Sequence, residues 1–357
     1  MPVIWLIDAY RAGERGQLRA LCDALAWPCE LKRLRYNTTV VSPHLLGLTS
    51  IRGISLESRL QLRPPWPDLV VSSGVRNEPV CRWIRKQSGG RTRYVHIGRP
   101  WAKLESFDLV VTTPQYRVAN HPNVLHNELT LHGVNRDVLQ LAADRWRDVS
   151  LGMARPYTTV IVGGNSGPYT LGVKAAKRLA EELNARMQAR PGGLLVTTSS
   201  RTSPQVIETL KQGLQVPNYF YAWKPDDKEN NPYLGMLGLA DEFIVSGDSI
   251  AMLSEACATG KPVSIFDLGG MREEMEYDRD FRVGATLYNW LLRWGWQVLS
   301  RDISLVHRRL VRGGRAKWLE DSDGGEHVPP PPSDDLARAV EAVRSLFDET
   351  EMEVAVE

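Results

Sequence analysis

The chain lacks any apolar run near the roughly 18 residues that a membrane-spanning helix needs, so no helical span is expected. It also lacks an excess of charge. Its 357 residues hold 44 Lys and Arg against 42 Asp and Glu, a formal net charge of +2. A balance that close leaves no long-range field to gather a polyanion, and a nucleic-acid partner is not expected. Cysteine is scarce: Cys22, Cys29, Cys81 and Cys257 are scattered, with no histidine cluster beside them. That spacing fits neither a metal centre nor a disulfide framework and reads as buried, reduced thiols in a cytoplasmic protein. The first apolar stretch, from Val3 to Ile7, meets Asp8 at once, which reads as a buried strand rather than a signal peptide. No Gly-Lys-Ser/Thr follows the glycine-rich turn at Gly163–Gly167, and GxGxxG spacing is absent, so neither a Walker loop nor a dinucleotide fingerprint is present. No Asp-x-Asp stands at a strand end, so neither a metal site nor metal-dependent chemistry is expected.

What is present is an ordinary globular balance, 43% hydrophobic and 24% charged, at a length that suits two domains. Apolar runs at Val3–Ile7, Trp66–Ser73, Tyr94–Ile97 and Phe107–Thr112 alternate with helical patterns at Gln17–Ala26 and Pro79–Gln87. The alternation restarts after a charged helix at Arg136–Asp148. Strands are expected at Thr158–Val162, Gly193–Thr198, Tyr219–Ala222 and Phe243–Val245, and helices at Val173–Met187, Pro204–Gln212 and Pro232–Leu239. The pattern predicts an α/β fold of two Rossmann-like domains, 1–150 and 151–330, facing a cleft. Regularity fades after Leu268. Helical stretches at Thr286–Leu299 and Leu305–Val311 precede a Gly- and Pro-rich linker and an amphipathic helix from Asp335, with Leu336, Val340, Val343 and Leu346 on one face.

The most informative stretch is Phe243–Leu268. An apolar run ends in Ser246-Gly247-Asp248-Ser249, a helix carries Met252, Ser254 and Glu255, and Gly260-Lys261-Pro262 stops it before a second apolar run. This is a βαβ unit whose turn can hold a ligand at a helix N-terminus, with Ser249 as the expected N-cap. Glycine turn, helix terminus and hydroxyl-rich loop all fall where ligands bind in open α/β sheets, beyond the C-terminal ends of the strands.

These features resemble the nucleotide-sugar half of GT-B glycosyltransferases, through Gly247-Asp248-Ser249, Ser254-Glu255-Ala256 and Gly260-Lys261-Pro262. The chain as a whole resembles a bacterial family related to the plant mitochondrial-fission Elm protein, itself GT-B-like. The carriers are Asp8, Gly13 and Gln17, then Ile97-Gly98-Arg99-Pro100 leading to Phe107–Val111 and Thr113-Pro114. Next come Gly163-Gly164 and Ser199-Ser200-Arg201-Thr202, and last Gly247-Asp248-Ser249 with Met252 and Ser254-Glu255-Ala256. Two positions depart from the family pattern: Gln115-Tyr116 replaces His-Asp, and Asn165-Ser166 replaces Asp-Ser.

The resemblance implies a metal-independent glycosyltransferase with a nucleotide-diphosphate-sugar donor and no separate cofactor. Its acceptor would be a sugar or a lipid-linked sugar, in cell-surface glycan or lipopolysaccharide assembly. A nucleotide-sugar epimerase or a non-catalytic interaction protein on the same fold are the alternatives. The implied donor site is Gly163, Gly164, Asn165, Ser199, Ser200, Arg201, Thr202, Trp223, Gly247, Asp248, Ser249, Met252, Ser254 and Glu255. The acid on the helix would hold the ribose, and Arg201 would neutralise the leaving diphosphate. Trp223 and Lys224 either flank a nucleobase or belong to packing. The catalytic set is Arg201 with Asp8 or Glu14 as base; His96 lies within a strand, where a satisfied core histidine is the commoner case. In GT-B enzymes a C-terminal helix often crosses back to the N-terminal domain, and the helix and tail at 335–357 are a candidate for that crossing. Trp290, Trp294 and Trp296 lie among arginines up to Arg312. The ordinary reading packs the tryptophans into the domain; the alternative is peripheral contact with the inner face of an anionic membrane.

Overall fold

The computed structural model describes residues 1–37, 49–227, 229–269, 271, 280–294, 300–321 and 328–354. It divides into two compact units, Met1–Gly133 with Asp334–Glu357, and Val134–Ser333.

In the first unit the chain runs β1 (Ile4–Ile7), α1 (Ala12–Leu25), β2 (Cys29–Lys32), α2 (Leu56–Leu60), β3 (Leu69–Ser73), α3 (Glu78–Gln87), β4 (Arg93–Ile97), β5 (Leu109–Thr112) and β6 (Val124–His126). All six strands are parallel, in the order β2-β1-β3-β4-β5-β6. A parallel sheet is covered on both faces, so its strands read as unbroken apolar runs. Alternation still sorts the side chains. Ile4 and Leu6 join Leu18, Leu21 and Leu25 of α1 on one face. Trp5 and Ile7 join Val80 and Ile84 of α3 on the other.

The second unit runs α4 (Arg136–Arg145), β7 (Tyr157–Val162), α5 (Val173–Ala189), β8 (Gly193–Thr198), α6 (Pro204–Gly213), β9 (Asn218–Tyr221), α7 (Tyr233–Leu239), β10 (Glu242–Ser246), α8 (Ile250–Cys257), β11 (Val263–Phe266), α9 (Val283–Trp294), α10 (Ser304–Arg312) and β12 (Lys317–Trp318). Its sheet is parallel in the order β12-β11-β10-β7-β8-β9. The chain winds one way from β7 through β8 to β9, then returns to β10 on the other side of β7. That reversal between β7 and β10 is the topological switch point of a Rossmann sheet. The two Rossmann-like units of the GT-B plan are therefore both present.

The last helix, α11 (Asp335–Val354), belongs to the first unit. Val343 and Ala339 are buried against the α1 face, with Leu336, Val340 and Leu346 packed beside them. Trp27 meets Phe347 edge-on at 5.2 Å. The Asp335 carboxylate accepts from the amides of Glu128 and Leu129 at 3.0 and 2.8 Å.

Two expectations need correction. The units part at Gly133, not near 150, because α4 packs on α7: Cβ atoms at Gly235 and Gly238 would meet the Trp146 side chain at 2.5 Å and the Leu139 carbonyl at 2.4 Å. Cys29 is exposed, unlike the other three thiols, because β2 is an edge strand. The end of the expected helix Thr286–Leu299 falls partly outside the described residues; the described helix is Val283–Trp294.

Candidate functional site

The loops after β7, β8 and β10 converge at the switch point of the second sheet. Asp248, its side chain wholly buried, is their common partner. Its Oδ2 accepts from the Gly164 amide at 2.9 Å, and its Oδ1 accepts from the Ser246 hydroxyl at 2.7 Å. The Ser246 Oγ in turn accepts from the Gly163 amide at 2.7 Å. From the β8 loop, Arg201 Nη2 reaches Asp248 Oδ2 at 2.8 Å while Nη1 donates to the Asn165 carbonyl at 3.1 Å. Ser199 Oγ donates to the Gly163 carbonyl at 3.0 Å, and Thr202 Oγ1 accepts from the Ser199 amide at 2.9 Å.

This crowding explains the two glycines. A Cβ at Gly163 would lie 2.2 Å from the Asp248 carboxylate, and one at Gly164 2.2 Å from the Arg201 carbonyl. It also bears on Gly163 and Gly164 as members of the implied donor site. Asp248 and Ser246 already take the amides of Gly163 and Gly164, so Asp248 is an internal organiser here. Asn165 is exposed, and its Oδ1 accepts from the Leu171 amide at 2.9 Å.

Two helices could offer an amide terminus to an anion here, and their ends differ. At α5 the terminus is filled. Asp280 Oδ2 accepts from the amides of Gly172 and Ala175, each at 3.0 Å, and Oδ1 from Lys174 at 3.1 Å. At α8, Ser249 occupies the N-cap position but its hydroxyl makes no cap bond, contrary to expectation. No acidic residue sits in the first turn of α8 either. Among the described residues, the first-turn amides and the positive end of the helix dipole therefore have no capping side chain from Ser249 and no acidic neighbour in the first turn.

Along α8, Ser254 is buried and donates back to the Ile250 carbonyl at 2.8 Å, so it does not face a ligand as the resemblance implied. Met252 and Glu255 are half-buried. Glu255 Oε2 accepts from the Tyr233 hydroxyl, and burial pushes its carboxyl above the usual range. Trp223 is exposed rather than packed, as are Lys224 and Ser200; the Trp223 amide donates to Thr198 Oγ1 at 2.9 Å.

Sequence reasoning missed His307. It is fully buried on α10, and its Nε2 donates to the Gly247 carbonyl at 2.6 Å. Burial depresses its pKa to about 4, so the ring is neutral and the donating nitrogen carries the proton. A single histidine 60 residues from its acceptor leaves no local signal.

In the first unit, Asp8 and Glu14 gather at the β1/β3 reversal. Asp8 Oδ1 accepts from Arg15 Nε at 2.7 Å, which makes it an organiser of the loop. Glu14 Oε2 lies over Gly74 at the end of β3, 3.5 Å from where a Cβ would stand, and Arg11 is 3.7 Å from its other oxygen. His96 is a core histidine: fully buried, with a pKa lowered to about 4 by burial, and within 3.2 Å of the Arg99 carbonyl and of the Tyr94 hydroxyl.

A family model described as Mitochondrial fission ELM1 matches residues 12–281. The chain belongs to that family. It is 26% identical over 342 residues to the Mitochondrial fission protein ELM1 of Arabidopsis thaliana, covering 88% of this chain and 73% of that protein. It is 25% identical over 296 residues to an uncharacterized protein of Rickettsia prowazekii (strain Madrid E), covering 74% of this chain and 82% of the other. Among solved structures, the S. aureus MnaA-UDP co-structure is similar at a TM-score of 0.47 and 14% identity, covering 87% of this chain and 95% of that one.

Proposed function

We propose that this ELM1-family chain is a metal-independent glycosyltransferase whose second unit binds a nucleotide-diphosphate-sugar donor. The observation that carries the reading is the contrast at the switch point. The α5 terminus is taken by Asp280, while the α8 terminus is uncapped and shares its corner with Arg201.

A diphosphate resting on the first-turn amides of α8 would lie near a guanidinium already fixed by Asp248 and Asn165. Glycosyl transfer builds negative charge on the leaving diphosphate. A donor held in place beforehand stabilises that charge without reorganising at the moment of reaction. Glu255, in the second turn of the same helix and oriented by Tyr233, suits ribose hydroxyls. The exposed Trp223 ring suits a nucleobase face. For an inverting transfer the base would come from the first unit. Asp8, bonded to Arg15, and Glu14 are the two candidates to accept the acceptor hydroxyl's proton. The acceptor would be a sugar or a lipid-linked sugar of a surface glycan or lipopolysaccharide.

The test is incubation with a panel of nucleotide-sugars, with and without cell-envelope acceptor fractions, following nucleoside diphosphate release. Release that depends on acceptor is expected. Isomerised donor sugar without net release would make the protein an epimerase. No thermal shift with any nucleotide or nucleotide-sugar would overturn both enzymatic readings and leave an interaction protein.

A further inference from the structure

Helix α9 presents a face that the described residues of the second unit leave uncovered. Val283, Leu287, Trp290 and Trp294 recur at i, i+4, i+7 and i+11, which stacks them on one side of the helix. With Phe281 just before the helix, these side chains are 58% to 81% exposed. The opposite side anchors the helix. Ala285 is buried, and the Tyr288 hydroxyl accepts from the Arg301 amide at 2.7 Å. The reading that packs Trp290 and Trp294 into the domain is thereby corrected, and Trp296 lies outside the described residues.

A continuous apolar stripe with two exposed tryptophans marks an interaction surface. Its charge setting says of what kind. From Phe281 to Arg315 the sequence holds seven arginines and one acidic residue, Asp302, in a chain whose whole net charge is +2. No residue of α9 is acidic, and Arg309 and Arg312 of α10 are exposed. Tryptophan favours the headgroup boundary, where its ring is apolar and its N–H meets water. One-signed arginine favours anionic lipid, at about 1 kcal/mol for each residue near the surface.

We propose that α9 is an interfacial anchor, laying Phe281, Val283, Leu287, Trp290 and Trp294 into the headgroup boundary of an anionic bilayer, with the arginines of the stretch adding electrostatic attraction. The proposal is independent of the donor site.

The experiment is co-sedimentation of the full chain with vesicles of phosphatidylglycerol and phosphatidylcholine in equal parts, and with phosphatidylcholine alone. At low salt the wild-type chain should pellet with the anionic vesicles and much less with the neutral ones. The double variant Trp290→Ser, Trp294→Ser should keep its melting temperature, because both side chains are exposed, and lose roughly tenfold or more in partitioning. Arg309→Gln with Arg312→Gln should lose roughly fivefold per arginine at low salt, and little once salt screens the charges. The arginine pair keeps the test open if the tryptophan variant misfolds. A wild-type chain that stays in the supernatant with anionic vesicles overturns the proposal. So does a folded tryptophan variant that pellets as wild type does, or equal binding to neutral vesicles. A chain that ignores vesicles but forms a dimer lost in the tryptophan variant assigns the face to a second copy and overturns it too.

Discussion

The buried carboxylate of Asp248 meets the guanidinium of Arg201 at 2.8 Å, joining the loop after β10 to the loop after β8. The carboxylate side chain is fully covered while the Arg201 side chain is 38% exposed. One end of the pair is locked into the fold, and the other can meet a ligand. The planar guanidinium uses a second nitrogen on the Asn165 carbonyl, so its orientation as well as its position is set.

Removing the carboxylate should loosen the whole corner. Asp248→Ala leaves the Gly164 amide and the Ser246 hydroxyl without their acceptor, while Arg201 can turn to water. Two stranded buried donors cost about 1–3 kcal/mol each, so a total loss of roughly 2–6 kcal/mol is expected. Urea unfolding measures it; a loss under about 1 kcal/mol would show that these bonds are not what holds the loops.

Arg201→Lys should behave as a severe change. Lysine can keep one of the two contacts but not the fork. On the proposed glycosyl transfer, turnover should fall by about 10²-fold or more, with a smaller change in KM, since the charge that Arg201 would meet grows in the transition state. Steady-state release of nucleoside diphosphate reads both constants. Equal kinetics for the variant and the wild type would remove Arg201 from the chemistry.

Two glycine substitutions should move in opposite directions. Gly164→Ala sets a Cβ 2.2 Å from a backbone oxygen, which only a shift of the Arg201 loop can relieve. A loss of at least about 2 kcal/mol and of the nucleotide thermal shift is expected. Gly16→Ala, in the exposed interior of α1 with nothing within 4 Å of the new methyl, should stabilise by roughly 0.5–1 kcal/mol. Denaturation midpoints of the two variants decide the matter.

Acid should weaken the protein through its buried histidines. His96 and His307 are both held neutral, with folded pKa values of about 4 against the usual 6.5. As pH falls below about 6.5 the unfolded chain takes up those protons first, so stability declines down to about pH 4, by on the order of 3 kcal/mol for each ring. Glu78 acts with the opposite sign. Burial raises its carboxyl to about 7, so the folded state keeps a proton that the unfolded chain gives up, and stability declines as pH rises from about 4.5 to 7. His307→Gln should flatten the acid side, while its amide can still donate to the Gly247 carbonyl. Unfolding curves across that range for both proteins test this; identical slopes would mean that His307 is not the titrating group.

Much of the architecture is legible along the chain, for a local reason. Strands buried on both faces must be continuous apolar runs, and a switch between strand and helix leaves small residues at the turn. Phe243–Ser246, Gly163-Gly164 and Ser199–Thr202 are therefore visible as strand and strand ends without knowing what lies beside them. The short edge strands β2, β6 and β12 are not, because one side of an edge strand needs no partner and tolerates residues such as Glu30, His126 and Lys317.

The chemistry within the corner is another matter. The sequence places Asp248, Gly164 and Arg201 each at the end of a strand. Only the strand order, which sets β10 beside β7 and β7 beside β8, brings the three into one hydrogen-bonded group and turns Asp248 from a ligand candidate into the residue that binds the Gly164 amide. The same holds for Asp280, which closes α5 from more than 100 residues away, and for His307 against Gly247. Composition and periodicity act between residues a few positions apart, so they determine which segments are strands and where their loops fall. Which polar groups satisfy one another across those loops is decided by the packing of distant segments, and that exists only once the sheet has formed.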